Sequence, residues 1–245
     1  SMIEIVVRKF HIDGIPISIY EQIDGTLKPV IFSFHGFDGY KDGDYFKRED
    51  ELARRGFIVI GIDTILHGER RIPVFDSKPY EEKMKDIHHC VIQTAMDAIQ
   101  LYEKYIRFMP RVMKDAVYAI GVSMGGAISI YMATIYPLIK AVSIVGSPSM
   151  IEFYQLKQEK YQWSKDFYYE RNLAYLDRFD PFEHAHQLKC PLFLTAGMMD
   201  EVIPCSLVSK FIHPKVTFKL YDTGHMPNQA QFDDAYAFLL SKEDV

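Results

Sequence analysis

The chain is short of cysteine, has a single tryptophan and contains no long apolar run, and each shortage excludes something. Its three cysteines, Cys90, Cys190 and Cys205, are scattered through 245 residues. An odd, widely spaced set does not make a disulfide framework and points to a reducing, cytoplasmic setting. No apolar stretch approaches the roughly 18 residues that a membrane span needs, so no membrane partner is expected. The N-terminus lacks the basic, apolar and small-residue succession of a secretory signal. Ser1 ahead of Met2 reads as a cloning remnant and is set aside. Positive charge is not in excess: the formal net charge is −5, so nucleic acid is not an expected partner. Internal repeats and low-complexity tracts are also missing.

What the chain does have is apolar mass. Hydrophobic residues make up 48% of it, enough for one large core, and α/β units of this length fold as one domain, here residues 1–245. Ile3 to Val7 and Ile15 to Tyr20 read as strands joined by an Asp13-Gly14 turn. From Val30 onward strand and helix alternate. Nearly continuous apolar strands at Val30–Phe34, Phe57–Ile62, Ala116–Ile120, Ala141–Val145 and Pro191–Gly197 suit a sheet covered on both faces. A strand over Val216–Tyr221 follows. Helices are expected at about Tyr45–Arg55, Glu81–Phe108, Ala127–Ile135, Pro204–Phe211 and Gln229–Leu240. The alternation predicts an α/β fold with a mostly parallel central sheet flanked by helices and right-handed crossovers.

One stretch breaks the rhythm. Residues 147–180 carry Phe153, Tyr154, Tyr161, Trp163, Phe167, Tyr168, Tyr169 and Tyr175 among many charges. Their length suits one or two helices inserted between strands as a short helical cap. These aromatics either pack on the domain or line a substrate pocket, and both can hold.

The chemistry concentrates at Gly121-Val122-Ser123-Met124-Gly125, between an apolar strand and a helix. Glycines two residues either side of a serine allow a turn too tight for side chains, which lifts the hydroxyl clear of the sheet. The following helix N-terminus favours developing negative charge there. A neutral hydroxyl is a poor nucleophile, so a base must take its proton. His225, in Asp222-Thr223-Gly224-His225 after a strand, suits that role. Asp200, after the strand ending at Gly197, would fix the imidazole tautomer. Asp200 could instead cap the next helix, and Glu201 is a rival acid whose neighbouring position should turn it away. Each of the three residues follows a strand, at the carboxyl edge where open parallel sheets keep their sites.

The other histidines fit no metal. His88 and His89 are adjacent on a helix and cannot face one ion together, while His184 and His186 lack a third ligand nearby. His67-Gly68 reads as a structural loop. Neither a metal nor a cofactor is expected.

The serine elbow and the order Ser123, Asp200, His225 resemble the α/β-hydrolase superfamily, over residues 3 to 240. Within it the chain is most similar to small bacterial serine esterases related to dienelactone hydrolase and the prolyl oligopeptidase catalytic domain. A dienelactone hydrolase would place cysteine at the elbow, and a prolyl oligopeptidase would add a propeller. The resemblance implies an oxyanion hole from the backbone N–H groups of Met124 and Phe37, the latter in the turn His35-Gly36-Phe37. It implies a cytoplasmic carboxylesterase that cleaves small-molecule esters through an acyl-enzyme. A peptidase or acyltransferase would use the same triad, and a ligand receptor could keep it without turnover. Oligomeric state is left open.

Overall fold

The structure, a computed structural model, describes residues 3–242, so the Ser1-Met2 start lies outside it. Strands β1 (Val6–Ile12) and β2 (Ile15–Glu21) form a hairpin, and β3 (Lys28–Phe34) begins the alternation. Helix α1 (Arg48–Arg54), strand β4 (Ile58–Ile62) and the one-turn helices α2 (Pro73–Asp76) and α3 (Tyr80–Lys83) follow. Then come α4 (Ile87–Lys104), β5 (Val112–Val122), α5 (Met124–Ile135) and β6 (Ala141–Ile144). The inserted stretch folds as two helices, α6 (Met150–Tyr161) and α7 (Phe167–Leu176). The chain closes with β7 (Leu192–Gly197), α8 (Cys205–Ser209), β8 (Val216–Tyr221) and α9 (Gln229–Leu240).

The eight strands make one sheet in the order β1-β2-β4-β3-β5-β6-β7-β8. The hairpin joins β4 antiparallel, and every pairing from β4 to β8 is parallel. Alternate residues of β3 feed different faces. Val30, Phe32 and Phe34 pack with α4 and α5, whereas Ile31 packs with Leu52 of α1 and Phe232 and Tyr236 of α9. Phe32 and Phe34 are fully buried, a burial worth roughly 1.5–3 kcal/mol for each side chain. The expectation of a parallel sheet covered on both faces therefore holds.

Several element bounds differ from the sequence reading. β5 begins at Val112 rather than Ala116, α1 begins at Arg48 rather than about Tyr45, and α8 is confined to Cys205–Ser209. The first strand and the long helix change most. The first strand lies at Val6–Ile12 rather than Ile3 to Val7. Asp13 and Gly14 both take positive φ, as a primed two-residue hairpin turn demands. That turn sets Ile12 opposite Ile15, and the ladder then runs out at Val6 opposite Glu21, where β2 ends. The expected helix over Glu81 to Phe108 is interrupted: Met84–Asp86 tightens to a 3-10 turn between α3 and α4, and α4 stops at Lys104. The tightened turn places Met84 with Ile87 and His88 along one pocket wall.

Candidate active site

Ser123 sits at the carboxyl end of β5, between β3 and β6 near the middle of the sheet. Its backbone is left-handed, with φ 58° and ψ −115°. A non-glycine residue held there costs about 1–3 kcal/mol, and the surroundings must over-determine the conformation. They do. The Ser123 N–H donates to the Ile144 carbonyl at 2.8 Å, and its own carbonyl accepts from Ala127 N–H at 3.1 Å. A Cβ on Gly121 would run into the backbone of Gly125, and one on Gly125 would run into the carbonyl of Phe34. Helix α5 can therefore approach β5 and β3 this closely only with glycine at both positions.

Asp200 and His225 arrive from the two strands beyond β6, after β7 and β8 respectively. β7 and β8 keep hydrogen bonding beyond their ends: Met198 N–H donates to Tyr221 O at 2.8 Å and Met199 N–H to Thr223 O at 2.9 Å. This holds the two loops side by side. Behind them Gln231, fully buried in the first turn of α9, donates to Thr195 Oγ1 and accepts from the Asn228 N–H.

The three side chains meet in one line. Ser123 Oγ lies 2.8 Å from His225 Nε2, and His225 Nδ1 lies 2.8 Å from Asp200 Oδ2. A serine hydroxyl donating to Nε2 leaves Nδ1 carrying the proton, which it donates to the carboxylate. The other oxygen, Asp200 Oδ1, accepts from the N–H groups of Val202 and Ile203 at 2.8 and 2.9 Å. Burial by itself pushes this carboxyl up, but the His225 hydrogen bond and charge with the two amides outweigh it and hold it below the usual carboxylate range. Asp200 thus stays ionised and also caps the turn after it. Glu201 points to solvent.

Ser123 and His225 open onto a pocket of about 320 Å³. Phe37 and Met124 line it beside the serine, and Met124 is the first residue of α5, where amide N–H groups have no partner within the helix. His35 secures the loop that carries Phe37. Its Nδ1–H donates to Gly36 O at 2.7 Å and its Nε2 accepts from Thr64 N–H at 3.1 Å. Burial pushes this imidazole down to about 3, so it remains neutral in that tautomer. His67 is buried too, bonded through Nδ1 to the Ile65 carbonyl at 3.0 Å and packed against the Phe37 ring.

Sequence reasoning did not find the far wall of the pocket. Met84, Ile87, His88 and Val91 come from the start of α4 and the turn before it, and Tyr80 comes from α3. Of the eight aromatics singled out in the insertion, Phe153 lines the pocket. Trp163 and Tyr169 are buried around Tyr154, while Phe167 and Tyr168 face solvent with the Arg171 guanidinium against them. His184 bonds the Asp177 carbonyl at 2.9 Å. Among the described residues no group of three or more His, Cys, Asp or Glu is placed to hold a metal, and no helix is long and apolar enough to cross a membrane.

No curated protein matches the chain in sequence. Solved structures share its fold. Acetyl xylan esterase 1 from Thermoanaerobacterium sp. JW/SL YS485 is 23% identical, with a TM-score of 0.69 over 98% of this chain and 88% of that one. A dienelactone hydrolase-like protein from Klebsiella pneumoniae subsp. pneumoniae is 15% identical, with a TM-score of 0.71 over 97% of both chains. The acylaminoacyl peptidase of Pyrococcus horikoshii is 16% identical, with a TM-score of 0.74 over 98% of this chain but 41% of that one. A family model described as the alpha/beta hydrolase fold matches residues 29–186, from β3 through the two inserted helices. That match spans more than half of the sequence, and the chain belongs to the alpha/beta hydrolase fold family.

Proposed function

We propose that the protein is a serine hydrolase, a carboxylesterase acting on small esters, with Ser123 as nucleophile, His225 as base and Asp200 as orienting acid. One observation carries the reading: the continuous hydrogen-bond line from Ser123 Oγ through the imidazole to Asp200, ending in an apolar pocket. The esterases among its structural neighbours are compatible with it.

The reaction follows from that line. Ser123 Oγ attacks the ester carbonyl as His225 Nε2 takes its proton, and Asp200 stabilises the resulting imidazolium. The carbonyl oxygen becomes an oxyanion held by the N–H groups of Met124 and Phe37. Collapse breaks the bond to the alcohol, which leaves with the proton from His225, and the acyl group stays on Ser123. Water then attacks the acyl-enzyme with His225 again accepting the proton, and the acid departs from the restored serine. Residues 147–180 form a helical cap over this centre, contributing Met150 and Phe153 to the pocket. Cys90 and Cys190, whose thiols burial pushes up to about 12, are inert under this reading and fit a reducing cytoplasm.

A series of p-nitrophenyl esters of increasing acyl length tests the proposal. The expected result is a burst followed by steady turnover, both abolished by a fluorophosphonate that labels Ser123. A single stoichiometric burst would make the protein a receptor, and turnover surviving in Ser123→Ala would overturn the assignment.

A further inference from the structure

His88 is a polar residue in an apolar wall. It stands in the first turn of α4, lines the same pocket as Ser123, and retains 6% of its surface exposed. Its ring is enclosed by Phe153 and Tyr154, with centroids 5.6 and 6.2 Å away. Among the described residues it makes no hydrogen bond, and Nδ1 is buried with no partner. A neutral imidazole carries one donor and one acceptor; Nε2 is not among the buried unpaired atoms, so its hydrogen-bonding capacity is the one a ligand in the pocket can meet. The other polar side chains there are accounted for. Ser123 and His225 bond each other, the Ser147 hydroxyl donates to Ser149 O at 2.7 Å, and Tyr80 reaches solvent.

The geometry points to His88 as a specificity-determining residue whose imidazole N–H donates to a neutral oxygen (ketone, ether or hydroxyl) set partway along the otherwise apolar arm of the substrate. This rests on the hydrolase reading for the reaction, though not for the binding. The arm is uncharged because no lysine, arginine, aspartate or glutamate lines the pocket. Burial pushes the His88 ring down to about 3, so it offers no cation for a carboxylate arm either. A pocket whose Nε2–H donor finds its partner only in the ligand discriminates against a substrate lacking that atom.

Isosteric ester pairs test this. On the acyl side, p-nitrophenyl hexanoate is compared with p-nitrophenyl 5-oxohexanoate. On the alcohol side, butyl acetate is compared with 2-methoxyethyl acetate by pH-stat. We expect the oxygen-bearing member of one pair to win by about tenfold in kcat/KM, the value of one net hydrogen bond. His88→Leu should erase that preference by improving the plain ester, and His88→Gln, which keeps a neutral donor, should retain part of it. Calorimetric binding of the same esters to Ser123→Ala should show the same preference without turnover. Equal kcat/KM and equal affinity within both pairs, or a preference that survives in His88→Leu, would overturn the inference. Binding preference without turnover in the wild type would sink the hydrolase reading and leave the role of His88 standing.

Discussion

Lys157 of α6 donates a hydrogen bond of 3.2 Å to the main-chain carbonyl of Val202, two residues beyond Asp200. The inserted helices are thereby tied to the loop that carries the candidate acid. The ammonium is buried, lies 5.0 Å from the centre of the Phe153 ring, and makes no ion pair among the described residues. Burial lowers it to about 8, with Lys160 adding to the effect. An unfolded lysine keeps its proton to about 10.5. Between those values the unfolded chain binds more protons than the fold, so this group makes stability rise with pH from about 8 to 10.5. Thermal melts across that window should show the rise, and Lys157→Met should flatten it. An unchanged slope in the variant would place the titration elsewhere.

The candidate acid acts at the acid end of the scale with the same sign. The folded carboxyl of Asp200 lies below its ordinary range, so its contribution to stability is complete above about pH 4 and is lost as pH falls through the folded value. Asp200→Asn should remove that acid limb from a plot of melting temperature against pH.

Activity separates the two neighbouring carboxylates. Ser123→Ala should cut kcat about a million-fold, since groups that act as a unit fail together. Asp200→Asn should cost roughly ten-thousand-fold by misplacing the imidazole tautomer. Glu201→Gln, changing an exposed side chain, should leave kcat within a few-fold. Steady-state kinetics with p-nitrophenyl acetate decide it, and a larger loss in Glu201→Gln would reverse the assignment.

The elbow should tolerate no side chain at Gly125. The added methyl of Gly125→Ala meets the Phe34 carbonyl, a backbone atom that cannot rotate away, so we expect a loss of about 3 kcal/mol or more. Urea denaturation would measure it, and a loss under 1 kcal/mol would show that α5 can shift.

The aromatic insertion divides by contact. Phe153→Ala should alter preference among acyl chain lengths because the ring lines the pocket. Tyr169→Ala should lower stability by about 3–5 kcal/mol with preference unchanged, since that ring stacks on Tyr154 away from the pocket. Tyr168→Ala, at an exposed position, should do neither.

These contrasts show what a linear reading could reach. The elbow was legible because its requirements are local, two glycines flanking one serine on a strand-to-helix turn. Asp200 and His225 were legible because each follows a predicted strand, at the carboxyl edge where open parallel sheets keep their sites. His88 and Met84 were not, since a helical residue facing a pocket has the same spacing as one facing the core. Nor was the pairing at Arg48, which the sequence marked only as part of a helix at about Tyr45–Arg55. Arg48 is buried, with Nε donating to Ser33 Oγ at 2.9 Å and a second nitrogen to Phe34 O at 3.2 Å, beside the Gly125 contact. Only the folded sheet brings those atoms together.

β8 carries a further consequence. It forms one rim of the sheet, pairs with β7 alone, and shows solvent most of its side chains. The imidazole hangs four residues past its end, while the serine is anchored in the deeply covered middle strand. The candidate nucleophile and candidate base therefore sit on elements of very different burial, and rim fraying would part them while the interior stays folded. On gentle warming, hydrolysis should fade before the bulk melting signal appears and return on cooling, with amide exchange quickening at 216–225 ahead of 117–122. The edge strand would then act as a thermal fuse for the chemistry.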